Sequence, residues 1–154
     1  MKKTLRFSLL SLLMMICGMT FAQTTVTFDV TKDKSASADP GKVSITKDGV
    51  TIATTEGIFG NGLQYRIYKS QTFTATSTEG NIQKIEFTCT ASGTTKYGPG
   101  CFTNPTAGTY TYDGKVGTWV GDAASVSLTA SLNQVRATKI VVTIGSTDPN
   151  AVAA

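Results

Sequence analysis

An all-β fold, a two-sheet antiparallel β-sandwich with a jelly-roll-like count of about nine short strands, is what the sequence predicts. Three observations carry that expectation. Threonine supplies 25 of the 132 residues that follow position 22 of this 154-residue chain, and β-branched side chains suit a pleated, half-buried surface while their stiff χ1 disfavours helix. Apolar and polar residues alternate over short runs, and no 3.6-residue repeat persists for three helical turns. Turn signals containing glycine separate those runs at regular spacing.

Taken in order, "TTVTFDV" (24–30) reads as the first strand and "KSASADPG" (34–41) as a surface loop. "KVSITKD" (42–48) and "VTIATTE" (50–56) flank Asp48-Gly49, a pair suited to a type I′ hairpin turn, in which both central residues need positive φ. "GIFGNG" (57–62) is a turn; it lacks the Gly-Lys-Ser/Thr ending of a phosphate loop and leads into a strand. In "LQYRIYKSQTFTATS" (63–77), Leu63, Tyr65 and Ile67 are expected on one face and Gln64, Arg66 and Tyr68 on the other. A turn near Lys69–Gln71 then makes the segment a hairpin or a bent strand pair, with Phe73 and Ala75 alternating with Thr72, Thr74 and Thr76. "IQKIEFTCTA" (82–91) points Ile85, Phe87, Cys89 and Ala91 inward. "TYTYDGK" (109–115), "SVSLTAS" (125–131) and "VRATKIVVTI" (135–144) complete the set. In the last of these the apolar phase moves from Val135 and Ala137 to Ile140, Val142 and Ile144, which predicts a β-bulge.

The N-terminus reads as a secretory signal peptide over 1–22. Lys2, Lys3 and Arg6 precede an apolar run from Phe7 to Met19, and Ala22 offers a small residue for cleavage before Gln23. That run is shorter than the roughly 20 residues that span a bilayer, so no transmembrane segment is expected. Cys17 raises the alternative of a lipid anchor, but Met14, Met15 and Ile16 lack the small residue such processing favours. The expected organisation is leader 1–22, β-domain 23–145, and a linker or tail 146–154, with the chain secreted, periplasmic or on the outer cell surface. Whether it stands alone or belongs to a multidomain protein is open. Without the leader's three cations, 11 basic residues remain against 10 acidic ones, a net charge of +1. Lys42, Lys47, Arg66, Lys69, Lys84, Lys96, Lys115, Arg136 and Lys139 are scattered singly along the chain. Neither feature suits a nucleic-acid binder.

Chemistry is bounded mainly by what is missing. With no histidine in the chain, Ser-His and Cys-His nucleophile pairs and imidazole-ligated metals are excluded. Two cysteines beyond the leader are too few for a closed zinc site. A carboxylate pair for glycoside hydrolysis is not forbidden, yet Asp29, Asp33, Asp39 and Asp48 lie in or beside turns, where aspartate serves local hydrogen bonding. Asp29, Asp33 and Asp122 are weak calcium candidates, since none sits in a dense acidic loop. No cofactor is expected. Asn104-Pro105-Thr106 is no glycosylation acceptor because proline occupies its middle position.

The segment "TTKYGPGCFTNPTAG" (94–108) is too aromatic for a plain linker and too rich in glycine and proline for a strand. In an oxidising compartment, Cys89 and Cys101 are expected to form a disulfide that ties this loop to the sheet, worth about 3 kcal/mol on the loop-entropy model; two unpaired core thiols are the alternative. Tyr97 and Phe102 beside Lys96 offer flat faces next to a cation, suited to a sugar ring or a peptide plane, although capping the open end of the sandwich explains them more simply. Trp119 is a stacking platform or a core plug, and burial is favoured. Arg66 and Tyr68 share an outward face. The candidate ligand-binding residues are therefore Tyr97, Phe102, Tyr68, Trp119, Arg66 and Lys96.

Taken together, "YRIYKSQTFTATS", "IQKIEFTCT", "KYGPG", "GTWVG" and "SVSLTAS…QVRATKIVVT" resemble an accessory β-sandwich module of secreted and cell-surface proteins of Gram-negative anaerobic bacteria. The resemblance spans about residues 24–144. Such modules are similar to carbohydrate-binding and galactose-binding-like sandwiches, and the resemblance implies the fold and an accessory role but no particular ligand. The loop aromatics themselves suggest a non-catalytic module that recognises a glycan or another cell-surface ligand. A structural or adhesive envelope protein, pairing through exposed edge strands, is the alternative.

Overall fold

The computed structural model describes residues 22–145; the expected leader, apart from Ala22, and the expected tail lie outside the described residues. Ten antiparallel strands form the domain: β1 Gln23–Asp29, β2 Gly41–Lys47, β3 Val50–Ile58, β4 Tyr65–Ile67, β5 Thr72–Ser77, β6 Ile82–Cys89, β7 Thr109–Asp113, β8 Val116–Ala123, β9 Ser125–Thr129 and β10 Val135–Gly145. A single 3-10 turn at Pro99–Cys101 interrupts the long loop before β7. Hydrogen bonding runs in the order β7-β8-β6-β10-β4-β3-β5-β9, with β1 added to β10 and β2 to β3. The sheet curls on itself into a sandwich-like half-barrel.

Curling originates in β10. Its residues Lys139–Ile144 pair with β6 on one edge and β1 on the other, whereas Val135–Ala137 exchange β1 for β4. Between these stretches Ala137 faces Cys89 and Lys139 faces Thr88, so Thr138 has no partner on β6. This is the bulge expected from the shift in apolar phase, and the added twist lets one strand serve two halves of the sheet. The halves meet across the interior, where Phe73 of β5 packs edge-on against Phe87 of β6 with ring centroids 5.0 Å apart.

Local chemistry explains the remaining elements. Lys47 pairs with Val50 across Asp48 and Gly49, whose φ values of 48° and 78° are those of the expected type I′ turn. Of the two options for 63–77, the bent pair is realised. Both β4 and β5 pair with β3, Ile67 opposite Gly57 and Phe73 opposite Thr54, and the chain jogs between them at Ser70, φ 69°. Leu63 departs from the expected alternation: Tyr65 and Ile67 are fully buried, but Leu63 is 63% exposed. Asn61 accepts hydrogen bonds from the N–H groups of Leu63 and Gln64, so the chain is still turning there and the strand period begins only at Tyr65.

Strand β8 is the element absent from the expected set, because Gly117 and Gly121 break its pattern. Both glycines mark close approach rather than a turn. A Cβ at Gly117 would lie 2.0 Å from the Tyr110 hydroxyl, and one at Gly121 would lie 2.5 Å from the Trp119 ring.

Exposed edges are managed unevenly. Residues 103–106 cover β9, with Thr103 and Thr129 exchanging N–H···O bonds of 2.8 and 3.0 Å. The Lys47 ammonium donates to the Thr27 carbonyl on β1 at 2.8 Å and pairs with Asp33 at 3.1 Å. The outer edge of β7 has no strand partner among the described residues.

Candidate binding surface

Loop 94–108 crosses from the start of β10 to the edge of β9, and backbone groups hold it at both ends. At its start the Tyr97 N–H donates to the Gln134 carbonyl at 2.8 Å, and the Arg136 N–H donates back to the Tyr97 carbonyl at 3.3 Å. Gly98 then lets the loop fold against itself, since a Cβ there would sit 2.3 Å from the Gly93 carbonyl oxygen. Two aromatic polar groups hold its far side: the Tyr110 hydroxyl donates to the Pro99 carbonyl at 2.8 Å and the Trp119 indole N–H to the Ala107 carbonyl at 2.7 Å.

The expected disulfide is not formed. Cys89 and Cys101 are buried free thiols. The Cys101 thiol donates to the Thr95 and Thr94 carbonyls at 3.3 and 3.5 Å, and the hydrogen bonds above supply the attachment the disulfide was expected to make. Burial pushes the Cys89 thiol up to about 12, and burial also raises Cys101, so both stay protonated and unreactive near neutral pH.

Two of the six candidate ligand residues belong to the core. Phe102 packs among Phe87, Phe73 and Tyr110 with centroids 5.1 to 6.1 Å away and is 2% exposed. Trp119 is fully buried, so its indole serves packing and the Ala107 carbonyl. Lys96 is exposed, while Tyr97, Arg66 and Tyr68 are half-buried.

Three of these gather around a fourth residue that the sequence reading left among scattered cations, Arg136. It lies directly opposite Arg66 in the β4–β10 register, and directly opposed residues share a face. The Arg136 guanidinium carbon sits 3.7 Å from the Tyr97 ring centroid, and the Lys96 ammonium lies 5.1 Å from the same centroid. Each arginine is steered by a glutamine two residues earlier: Arg66 Nε donates to Gln64 Oε1 at 3.2 Å and Arg136 Nε to Gln134 Oε1 at 2.6 Å. Tyr68 follows Arg66 by two residues, and its N–H is held by the Glu56 carbonyl at 3.1 Å.

A signal for this grouping does exist in the sequence. The tripeptides Gln64-Tyr65-Arg66 and Gln134-Val135-Arg136 share a Gln-x-Arg pattern. They acquire meaning only when antiparallel pairing sets one against the other.

Elsewhere the carboxylates are engaged locally. Asp29 accepts from the Thr31 hydroxyl and N–H, which hold its carboxyl below the usual range. For Asp33, burial pushes the carboxyl up, but the Asp29 N–H and the Lys47 ammonium more than offset this and hold it low. Among the described residues no group of three His, Cys, Asp or Glu side chains gathers around a common point. Two open surface depressions, one beside Asp48 and Glu79 and one beside Gln83 and Lys84, include none of the candidate ligand residues.

Comparison with known proteins finds no family model that matches the chain, no curated protein that matches its sequence and no solved structure that matches it.

Proposed function

We propose that the chain is an exported, non-catalytic binding module that recognises a glycan at the cell surface through the outward face of β4 and β10. Tyr97, Arg66, Lys96 and Arg136 form the contact surface, with Tyr68 at its flank; Phe102 and Trp119, being core residues, are not part of it. The observation that carries this reading is the half-exposed Tyr97 ring, stacked on Arg136 and beside Lys96. A flat apolar face next to fixed donors is the combination that sugar rings, with one apolar face and a rim of hydroxyls, bind well. Its test is a glycan array with the exported chain, on which Tyr97→Ala should abolish binding while leaving the melting temperature within a few degrees. Absence of binding to every glycan would remove the reading.

An adhesive role is the second reading, favoured by the unpartnered edge of β7 and by Val116 and Val120 on the neighbouring strand, 40% and 54% exposed. It predicts concentration-dependent self-association or co-purification with envelope proteins, both abolished by Thr111→Pro.

A further inference from the structure

Arg66 and Arg136 stand directly opposite one another on adjacent strands, a placement in which like charges oppose folding. No carboxylate among the described residues forms a salt bridge with either. The salt bridges among the described residues are Lys47 with Asp33 and Lys84 with Glu86, both elsewhere on the sheet. Lys96 adds a third cation beside the Tyr97 ring that Arg136 stacks on.

The two guanidiniums are also set in position. Gln64 and Gln134 each accept from the Nε of their arginine, which orients the planar group and leaves its terminal amino groups without a side-chain partner among the described residues. Tyr97 restrains Arg136 further by covering one face of its plane. Both arginines are half-buried, so their charges are less screened than those of free surface side chains.

From this arrangement we infer that the Arg66–Arg136 pair is an oxyanion clamp and that the glycan is acidic, its sugars carrying carboxylate or sulfate groups. The inference rests on the glycan-binding reading and specifies its ligand. An oxyanion placed between the guanidiniums cancels their repulsion and accepts paired N–H bonds from planar forks, a geometry that arginine offers and lysine does not. Tyr97 then packs against the ring that bears the anion. Neither arginine belongs to the buried core, since both lie on the outward face.

Affinity gel electrophoresis of the exported full chain tests this with polygalacturonate for carboxylate, chondroitin sulfate for sulfate, and dextran and carboxyl-reduced polygalacturonate as neutral controls. Retardation by one or both acidic polymers is expected, with none by the neutral ones, and it should weaken as salt is raised. Arg66→Gln and Arg136→Gln should each weaken binding about tenfold or more. Arg66→Lys, which keeps the charge, should recover only part of the loss. A purely structural role for Arg66 would instead lower the melting temperature of Arg66→Gln, which is expected to stay within a few degrees of the wild type. Binding of neutral polymers that depends on Tyr97 and ignores both arginines overturns the acidic-ligand inference and leaves the module reading standing. Retardation by none of the polymers, neutral or acidic, together with a silent glycan array, overturns both.

Discussion

Replacing Phe102 with alanine separates a core residue from a ligand platform. The side chain is 2% exposed and touches three aromatic rings drawn from β5, β6 and β7, with centroids 5.1 to 6.1 Å away. Truncating a buried phenylalanine removes its transfer free energy and leaves a cavity that the surrounding strands fill only partly, at about 3–5 kcal/mol. For a domain of this length the unfolding entropy is about 0.25 kcal/mol per kelvin, so the melting temperature should fall by about 12–20 °C. Differential scanning calorimetry and urea unfolding measure the loss, and an unchanged m-value would confirm that the native state remains compact. Phe102→Leu should cost about 1.5 kcal/mol or less, because it restores most of the volume. Below its melting temperature Phe102→Ala should bind ligand like the wild type, whereas Tyr97→Ala should lose ligand and keep its stability. A melting temperature within about 3 °C of the wild type, or a selective loss of binding, would refute the placement of Phe102 in the core.

Cys89 and Cys101 should resist iodoacetamide at pH 8 in the folded chain and react in denaturant without reductant; peptide mapping that finds them joined to each other would overturn the free-thiol assignment. Gly98→Ala places a Cβ 2.3 Å from a backbone oxygen, so the loop must open, at about 1–3 kcal/mol, and with Tyr97 displaced the ligand affinity should fall too. The Asp33 carboxyl is held below its ordinary value of 3.8, so its contribution is present above that pH and lost as pH falls through the lowered value. Wild type should therefore exceed Asp33→Asn in stability by about 0.2–1 kcal/mol at pH 7, and the difference should close as the pH falls through the lowered value; a gap constant with pH would rule out an ionic origin.

How much of this was legible in the sequence depended on whether a residue's role was local. Asp48-Gly49 announced its turn because positive φ at two successive positions is a property of those residues themselves. The bulge at Thr138 was visible as a change of phase, since a one-residue slip reverses every later side chain. By contrast, Gly117 and Gly121 concealed β8. Their purpose is to make room for Tyr110 and Trp119, a relation across space that leaves only a broken alternation along the chain.

The candidate site divides along the same line. Arg66, Lys96 and Tyr97 could be named from their residue types, but Phe102 and Trp119 could not be sorted from them, because an aromatic side chain suits a core and a sugar equally. The even cysteine count suggested a bond that the carbonyls of Thr94 and Thr95 supplanted.

By itself, then, the sequence determined the strand period, the turn chemistry, the all-β class and the want of imidazole chemistry, all of which reside in single residues or their near neighbours. Only the tertiary structure decided which aromatics are interior, that the two thiols are buried and unbonded, and that Arg136, 70 positions beyond Arg66, stands against it. Antiparallel register alone brings such distant positions together, and the register depends on the packing of the whole curled sheet.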